Sequence, residues 1–384
     1  MREYLLTILV AALVTYLLTP AVRAFAVWFG AQAAPRERDV HTIPTPRLGG
    51  LAMFGGMVAA LVVATGLPEM KKVLATSDVG VGKALLLSGG LIVLVGIADD
   101  RWEIDPLTKF AGQVAAAGIF IMQGIQLYQV PLFDGTTLVL PPTYGVPLTV
   151  LIVVATINAV NFIDGLDGLA AGVVGIAASA LFFYAYLLSK SYGFTTLSGA
   201  TLAAAVLVGM CAGFLPHNFN PARIFMGDTG SMLIGLLLSA STIMLTGQFD
   251  PNALSTYKLF PLWLPLLLVP AVAAVPFTDM LLAIWRRTNQ GLSPFAPDKL
   301  HLHHRLLELG HSVRRAVLIM YFWVGLLAAG VVSLARVKNQ WLVLSVTGLV
   351  AVAGLFAMIA APRISARRAL AAQERGAPRP HQPA

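Results

Sequence analysis

Asn158-Ala-Val-Asn161-Phe-Ile-Asp164-Gly-Leu-Asp167-Gly-Leu-Ala-Ala-Gly172 is a polar interruption between two long apolar runs, at 147–160 and 166–189. If the second run begins as a helix inside this stretch, Asn161, Asp164 and Asp167 follow one another at three-residue steps and share one face. Carboxylates beside membrane-length apolar segments are costly unless something positive meets them. A divalent cation and the phosphates it carries would do that. A polar loop with helix caps is the plainer alternative, since Asn, Asp and Gly are all favoured there.

The flanking runs decide the class. The 384-residue chain is 57% hydrophobic and only 11% charged, with a mean hydropathy of +0.78. A soluble chain could not hide so much apolar surface, so this is an integral membrane protein. The lone Cys211 lies inside an apolar run and has no cysteine partner in the chain. The formal charge of +8 is spread over loops and the C-terminal segment. That distribution points to anionic headgroups and anionic substrates, with no nucleic acid as partner.

Working outward, Tyr4–Phe29 reads as a retained first span, too long for a signal-peptide core. Further apolar runs lie at 49–68, 84–98, 108–123, 147–160, 166–189, 195–215, 230–247, 258–285, 316–335 and 341–360. The expected fold is all-α and polytopic, with about eleven transmembrane helices. The ninth carries Pro261, Pro265, Pro270 and Pro276 and is expected to be broken. Most Lys and Arg fall in loops that share a side with the C-terminus. The positive-inside rule then puts the N-terminus outside and the C-terminus in the cytoplasm. No internal repeat of the alternating-access kind is visible. Residues 1–365 read as one membrane domain, followed by a tail, 366–384, expected to be disordered. Gly209-Met-Cys-Ala-Gly213 has the spacing of a close helix contact, within one chain or across a homodimer.

On this map the acids gather on the inner side. Asp99-Asp100 closes the third span in Gly96-Ile-Ala-Asp-Asp-Arg101-Trp102. Adjacent carboxylates repel, which suits a general base or a shared cation, and at a helix C-terminus they oppose the dipole rather than cap it. Lys109, at the mouth of the next span, is a candidate phosphate partner. In Phe219-Asn-Pro-Ala-Arg-Ile-Phe225-Met-Gly-Asp228-Thr-Gly-Ser231, Asp228 is expected just ahead of a helix start, where backbone amides could meet an anion. Asp39 and Asp105 fit a mixed-charge loop surface better than a site. In the loop around Asp298, a helix would put His301, His304 and Arg305 on one face. Zinc needs a further ligand, so donors to a diphosphate or sugar are the better reading. Gly80-Val-Gly-Lys83 lacks the earlier Gly and the following Ser/Thr of a phosphate loop and falls on the outer side.

Five elements stand in a recognisable order: Pro44-Thr-Pro46-Arg-Leu-Gly49-Gly50, Asp99-Asp100, Asn158 to Gly168, Phe225-Met-Gly-Asp-Thr-Gly-Ser231 and His301-Leu-His-His-Arg305. The chain resembles the polyprenyl-phosphate N-acetylhexosamine-1-phosphate transferases, from about residue 41 to 312. MraY translocases carry three consecutive histidines in the last loop. The His-Leu-His-His-Arg here is closer to the WecA/TagO branch, which argues against UDP-MurNAc-pentapeptide as donor. The resemblance implies that UDP-GlcNAc and a polyprenyl phosphate yield polyprenyl-diphospho-GlcNAc and UMP, with Mg2+ or alternatively Mn2+. It implies Asp228 as metal ligand and Phe225 as an aromatic stacked near uracil. It implies Asp99 as the base toward the lipid phosphate, with Asp100 as its acidic neighbour. Asn161 and Asp164 would line the nucleotide pocket with Asp167 close by, and Asp164 is also the candidate nucleophile of a two-step route. His303, His304 and Arg305, with His301 beside them, would contact diphosphate and sugar. It implies a bacterial plasma membrane with the site on the cytoplasmic face. An ion-coupled transporter remains the alternative of a different class, and it would need acids near the bilayer midplane.

Overall fold

The computed structural model describes residues 1–33, 44–76, 80–132, 137–192, 197–247, 313–337 and 339–356, together with 288 and 358. The proline-rich ninth run, the histidine loop with His301, His303, His304 and Arg305, and the tail from 366 lie outside the described residues. Within them the chain is almost wholly helical: α1 (Arg2–Phe29), α2 (Gly49–Gly66), α3 (Pro68–Thr76), α4 (Val81–Trp102), α5 (Pro106–Met122), α6 (Pro142–Ile163), α7 (Leu169–Tyr192), α8 (Leu197–Asn218), α9 (Gly227–Gly247), α10 (Val313–Arg336) and α11 (Gln340–Phe356). Eight of these are long and apolar enough to cross a membrane, and α5 and α11 are shorter apolar helices.

Two features add to the expected apolar spans. Short antiparallel ribbons pair β1 (Gln32–Ala33) with β2 (Thr45–Pro46), and β3 (Gln129–Pro131) with β4 (Thr137–Val139). Alternation over two or three residues is too brief to register against the apolar background. The short α3 is a second addition, and its start is anchored from α1. The Glu3 carboxylate accepts from the amides of Glu69 at 2.9 Å and Met70 at 3.0 Å. That satisfies orphan donors of the first turn.

The centre of the bundle is α9. It is flanked by α2, α4, α6, α7 and α8, and every one of its residues is buried except Asp228. Two of its hydroxyls fold back on the helix: Ser239 Oγ donates to the Leu236 carbonyl and Ser241 Oγ to that of Leu237. Without a hydrophobic drive between helices in lipid, close contact depends on small residues. A Cβ on Gly50 would lie 2.2 Å from the Gly230 amide nitrogen, and one on Gly96 would lie 2.4 Å from Thr229 Cα. So α2 and α4 touch the start of α9 backbone to backbone. The Gly209/Gly213 pair is spent inside the bundle, on α1: their Cβ positions would fall 2.4 Å from the Ile8 carbonyl and 2.1 Å from that of Ala12. This pair therefore explains an α1–α8 contact and no longer argues for a homodimer.

Gly213→Val should force α1 from α8 and lower the melting temperature in detergent, by an overpacking cost of about 1–3 kcal/mol. Gly325 in α10 has nothing within 4 Å of its Cβ position. Gly325→Ala should leave the melting temperature unchanged or raise it slightly, through helix propensity.

Candidate active site

Helix ends converge at one end of the bundle: the C-termini of α4 and α6 and the N-termini of α2, α5 and α9. The join begins in the backbone. Phe225 N donates to the Pro46 carbonyl at 2.8 Å, while Gly49 N and Gly50 N donate to the carbonyls of Phe225 and Met226 at 3.0 Å each. Orphan amides of the α2 N-terminus are thereby satisfied by the segment leading into α9. Leu48, at φ 79, sits in the left-handed region and is fully buried. Such a conformation in a leucine persists only where its surroundings over-determine it.

The α9 N-terminus is capped from another helix. Asp100, buried in the last turn of α4, accepts from Asp228 N at 3.0 Å, Thr229 N at 3.0 Å and Thr229 Oγ1 at 2.7 Å. Both its oxygens are therefore engaged in holding the start of α9. α9 also begins earlier than expected, at Gly227, so Asp228 lies in the first turn rather than ahead of it. Gly227 is required there twice over, by φ +67 and by the Asp100 Oδ2 that would lie 2.3 Å from a Cβ.

Asp228 then faces a small polar cluster. Asn161, in the last turn of α6, donates through Nδ2 to Asp228 Oδ1 at 2.9 Å and to Ser231 Oγ at 2.8 Å. The Lys109 ammonium lies against Asp228 Oδ2 and 3.4 Å from Asp99 Oδ2. One cation thus bridges two carboxylates from different helices. The start of α5, which carries Lys109, is fixed by Asp105. Its carboxylate accepts from the amides of Leu107 and Thr108 at 3.0 Å each and from the Thr108 hydroxyl. The Thr108 hydrogen bonds hold the Asp105 carboxyl below its ordinary range, in keeping with a surface cap and no part in the site.

Asn161, Asp164 and Asp167 do not share a helical face. α6 stops at Ile163 with Asp164 as its C-cap, and α7 starts only at Leu169. Gly165 and Gly168 break the run, and Gly168 takes φ +77. Asp164 is half-buried, and its carboxyl is pushed up to about 7. Burial is the first cause, and the negative charge of Asp100 the second. Arg47 opposes both, and Asp167 adds a further push. Asp167 is buried and turned to structure: its Oδ2 accepts from Asn220 Nδ2 at 2.9 Å and Ala222 N at 3.0 Å. Asn218 completes that brace, accepting from Gly168 N and donating to the Ile224 carbonyl. Together they hold the loop that delivers Phe225, which is itself half-buried.

The structure therefore gathers Asp99, Asp100, Lys109, Asn161, Asp164 and Asp228, with Asp167 and Phe225 adjoining. Sequence reasoning missed Thr229, Ser231 and Asn218 as partners, and it gave Arg47 no role. Only the repeated small polar residues around Asp228 hinted at the first two. Among the described residues no group of three or more His, Cys, Asp or Glu could hold a metal alone. A cation such as Mg2+ needs only one or two carboxylates when a substrate supplies phosphates. Asp99, Asp100, Asp164 and Asp228 lie at helix termini on one end, which is not the midplane pairing that an ion path requires.

Asp100→Asn must leave one of the α9 amides facing a donor. It should lower the melting temperature, by about 1–3 kcal/mol for a buried group left unsatisfied, whereas Asp99→Asn should not. Equal shifts in the two variants would contradict the capping role.

Residues 83–246 match the profile of glycosyl transferase family 4. The chain is 48% identical over 336 residues to the decaprenyl-phosphate N-acetylglucosaminephosphotransferase of Mycolicibacterium smegmatis, covering 87% of this chain and 82% of that one. It is 46% identical over 362 residues to the protein of the same name from Mycobacterium tuberculosis, with coverages of 94% and 89%. The undecaprenyl-phosphate alpha-N-acetylglucosaminyl 1-phosphate transferase of Escherichia coli is 28% identical over 318 residues, with coverages of 80% and 77%. Identity of this degree, sustained across most of both chains, means that the chain belongs to the polyprenyl-phosphate N-acetylhexosamine-1-phosphate transferases of glycosyl transferase family 4.

Proposed function

We propose that the protein transfers GlcNAc-1-phosphate from UDP-GlcNAc to a polyprenyl phosphate, releasing UMP and forming polyprenyl-diphospho-GlcNAc. The observation that carries this is the cluster of Asp99, Lys109, Asn161, Asp164 and Asp228 at one end of a membrane bundle, in a chain 46% identical to a decaprenyl-phosphate N-acetylglucosaminephosphotransferase. A lipid phosphate can reach such a site from the membrane and a sugar nucleotide from water. The Lys/Arg bias of the loops supports a cytoplasmic site in a bacterial plasma membrane.

The residues fit a Mg2+ that arrives with the nucleotide. The Lys109 ammonium already occupies a place between Asp99 and Asp228, so that place accepts positive charge. Asp228 would be the protein's metal ligand, with Asn161 holding its carboxylate in orientation. When bound, the ion neutralises charge on the diphosphate and improves UMP as leaving group. Lys109, released from Asp228, would turn to a phosphate oxygen. Asp99 would take the proton remaining on the lipid phosphate, and that phosphate would attack the sugar-bearing phosphorus directly. Asp100 would act through α9 by fixing Asp228, and Asp164 would line the nucleotide pocket. Phe225 would stack near the uracil, and His301, His303, His304 and Arg305 would meet the diphosphate and sugar.

Purified protein in detergent, given labelled UDP-GlcNAc, polyprenyl phosphate and Mg2+, should move label into the lipid phase. EDTA should abolish the transfer, and Asp228→Ala should slow it by more than about 100-fold, the upper end seen when metal sites lose supporting groups. Transfer from a different UDP-sugar alone would keep the chemistry and overturn the choice of donor. Asp164→Asn should slow the reaction with no phosphorylated enzyme detectable, whereas a trapped aspartyl phosphate in the wild type would sink the direct route.

The raised Asp164 carboxyl also gives a pH dependence to stability. Unfolded, the group ionises near its ordinary value of 3.8; folded, near about 7. Below the lower value it is protonated in both states and contributes nothing. As pH rises from there to about 7, the folded state holds a proton that the unfolded state releases, so wild type loses stability. Asp164→Asn should therefore melt close to wild type near pH 4 and above it at about pH 8. Parallel melting curves across this range would contradict it.

A further inference from the structure

We infer that Arg47 is a phosphate-binding residue of this site, its guanidinium taking an oxygen from one of the two substrates' phosphates. The inference rests on the transferase reading above. Arg47 stands in a segment whose backbone is fixed on both sides. Its own amide donates to the Ala31 carbonyl at 3.0 Å, and the preceding Pro46 carbonyl accepts from Phe225 N at 2.8 Å. The following Leu48 is buried, and Gly49 and Gly50 pair with Phe225 and Met226, immediately before the α9 start that carries Asp228.

The side chain is half-buried, and its positive charge reaches both Asp100 and Asp164. Yet among the described residues it makes no side-chain hydrogen bond and no ion pair within 4.0 Å. Both Asp100 oxygens already accept from the Asp228 and Thr229 donors. The Asp164 carboxylate likewise has no hydrogen-bond partner among the described residues. A guanidinium carries five donors in a rigid fork, and leaving them half-buried and unmatched is unfavourable.

Three nearby cations among the described residues already have partners. Lys109 is shared by Asp99 and Asp228, Arg101 Nε donates to the Phe29 carbonyl at 2.8 Å, and Arg314 Nε donates to the Asn220 carbonyl at 2.8 Å. A donor diphosphate and an acceptor phosphate bring more negative charge than the single Lys109 ammonium can meet, even once it is released from Asp228. Arg47 supplies a cation next to the site whose donors have no partner among the described residues, and the planar fork matches phosphate oxygens in pairs. Its fixed backbone means that little ordering remains for the ligand to impose.

The test uses the full chain in detergent with Mg2+, as wild type, Arg47→Ala and Arg47→Lys. Affinities for UDP and for uridine are measured by calorimetry, and KM values for polyprenyl phosphate and UDP-GlcNAc by transfer assay. If the phosphate belongs to the nucleotide, Arg47→Ala weakens UDP by about 10- to 100-fold, the range of a charge-assisted hydrogen bond, and leaves uridine unchanged. If it belongs to the lipid, UDP affinity holds and the KM for polyprenyl phosphate rises over the same range. In either case Arg47→Lys falls between. The inference is overturned if neither UDP affinity nor the lipid KM changes. It is equally overturned if UDP and uridine weaken together with a drop in melting temperature that lysine does not rescue, since that marks a residue that only holds its loop. A wild type that transfers nothing, while Arg47→Ala still loses UDP selectively, would count against the transferase reading and for the phosphate contact.

Discussion

The site depends on a carboxylate that crosses between helices. Asp100 leaves the last turn of α4 and accepts three hydrogen bonds from Asp228 and Thr229 at the start of α9. A buried carboxylate is normally costly, and a helix N-terminus with unpaired amides is costly too. Brought together, each satisfies the other, with the helix dipole in the favourable sense. The result fixes the backbone of Asp228 while leaving its side chain as the one unburied group on an otherwise enclosed helix. Everything polar around it, from Asn161 to Lys109, is arranged against that fixed point.

Such an arrangement needs backbones closer than ordinary side chains permit. Gly50 and Gly230 on one side, and Gly96 and Thr229 on the other, bring three helix ends to direct contact. In lipid this close packing replaces the hydrophobic drive that would hold a soluble core. For the chemistry, the gain is preorganisation. Carboxylates held by short backbone contacts need not move when a phosphate arrives, and phosphoryl transfer relies mainly on positioning and charge stabilisation. The Asp167 and Asn218 brace extends the same logic outward, holding the loop that leads through Phe225 into α9.

Much of this was legible in the sequence, for reasons that differ by level. Hydropathy located the described spans because burial in a bilayer demands long apolar runs, and the acids stood out because they are expensive there. The shared face expected of Asn161, Asp164 and Asp167 failed at Gly165 and Gly168, where two glycines turned the chain instead of continuing a helix. The role of Asp100 could not be read locally, since its partner Asp228 lies 128 residues away. Arg47 was visible inside a motif, yet nothing in its neighbours announced that its charge reaches Asp164. The close Gly209–Gly213 spacing was legible as a contact, but not which helix it contacts; that follows only from the approach of α1.

The bond of the donor that is broken distinguishes sugar-phosphate transfer from sugar transfer. Transfer of a sugar phosphate cleaves the diphosphate and leaves the nucleoside monophosphate behind, whereas transfer of the sugar alone leaves the diphosphate intact. The most direct measurement is to identify the nucleotide released by the purified protein, using donor labelled on the phosphate next to the sugar. UMP released in step with label entering the lipid is the predicted result. UDP as the product, with the label remaining in water, would contradict the central claim.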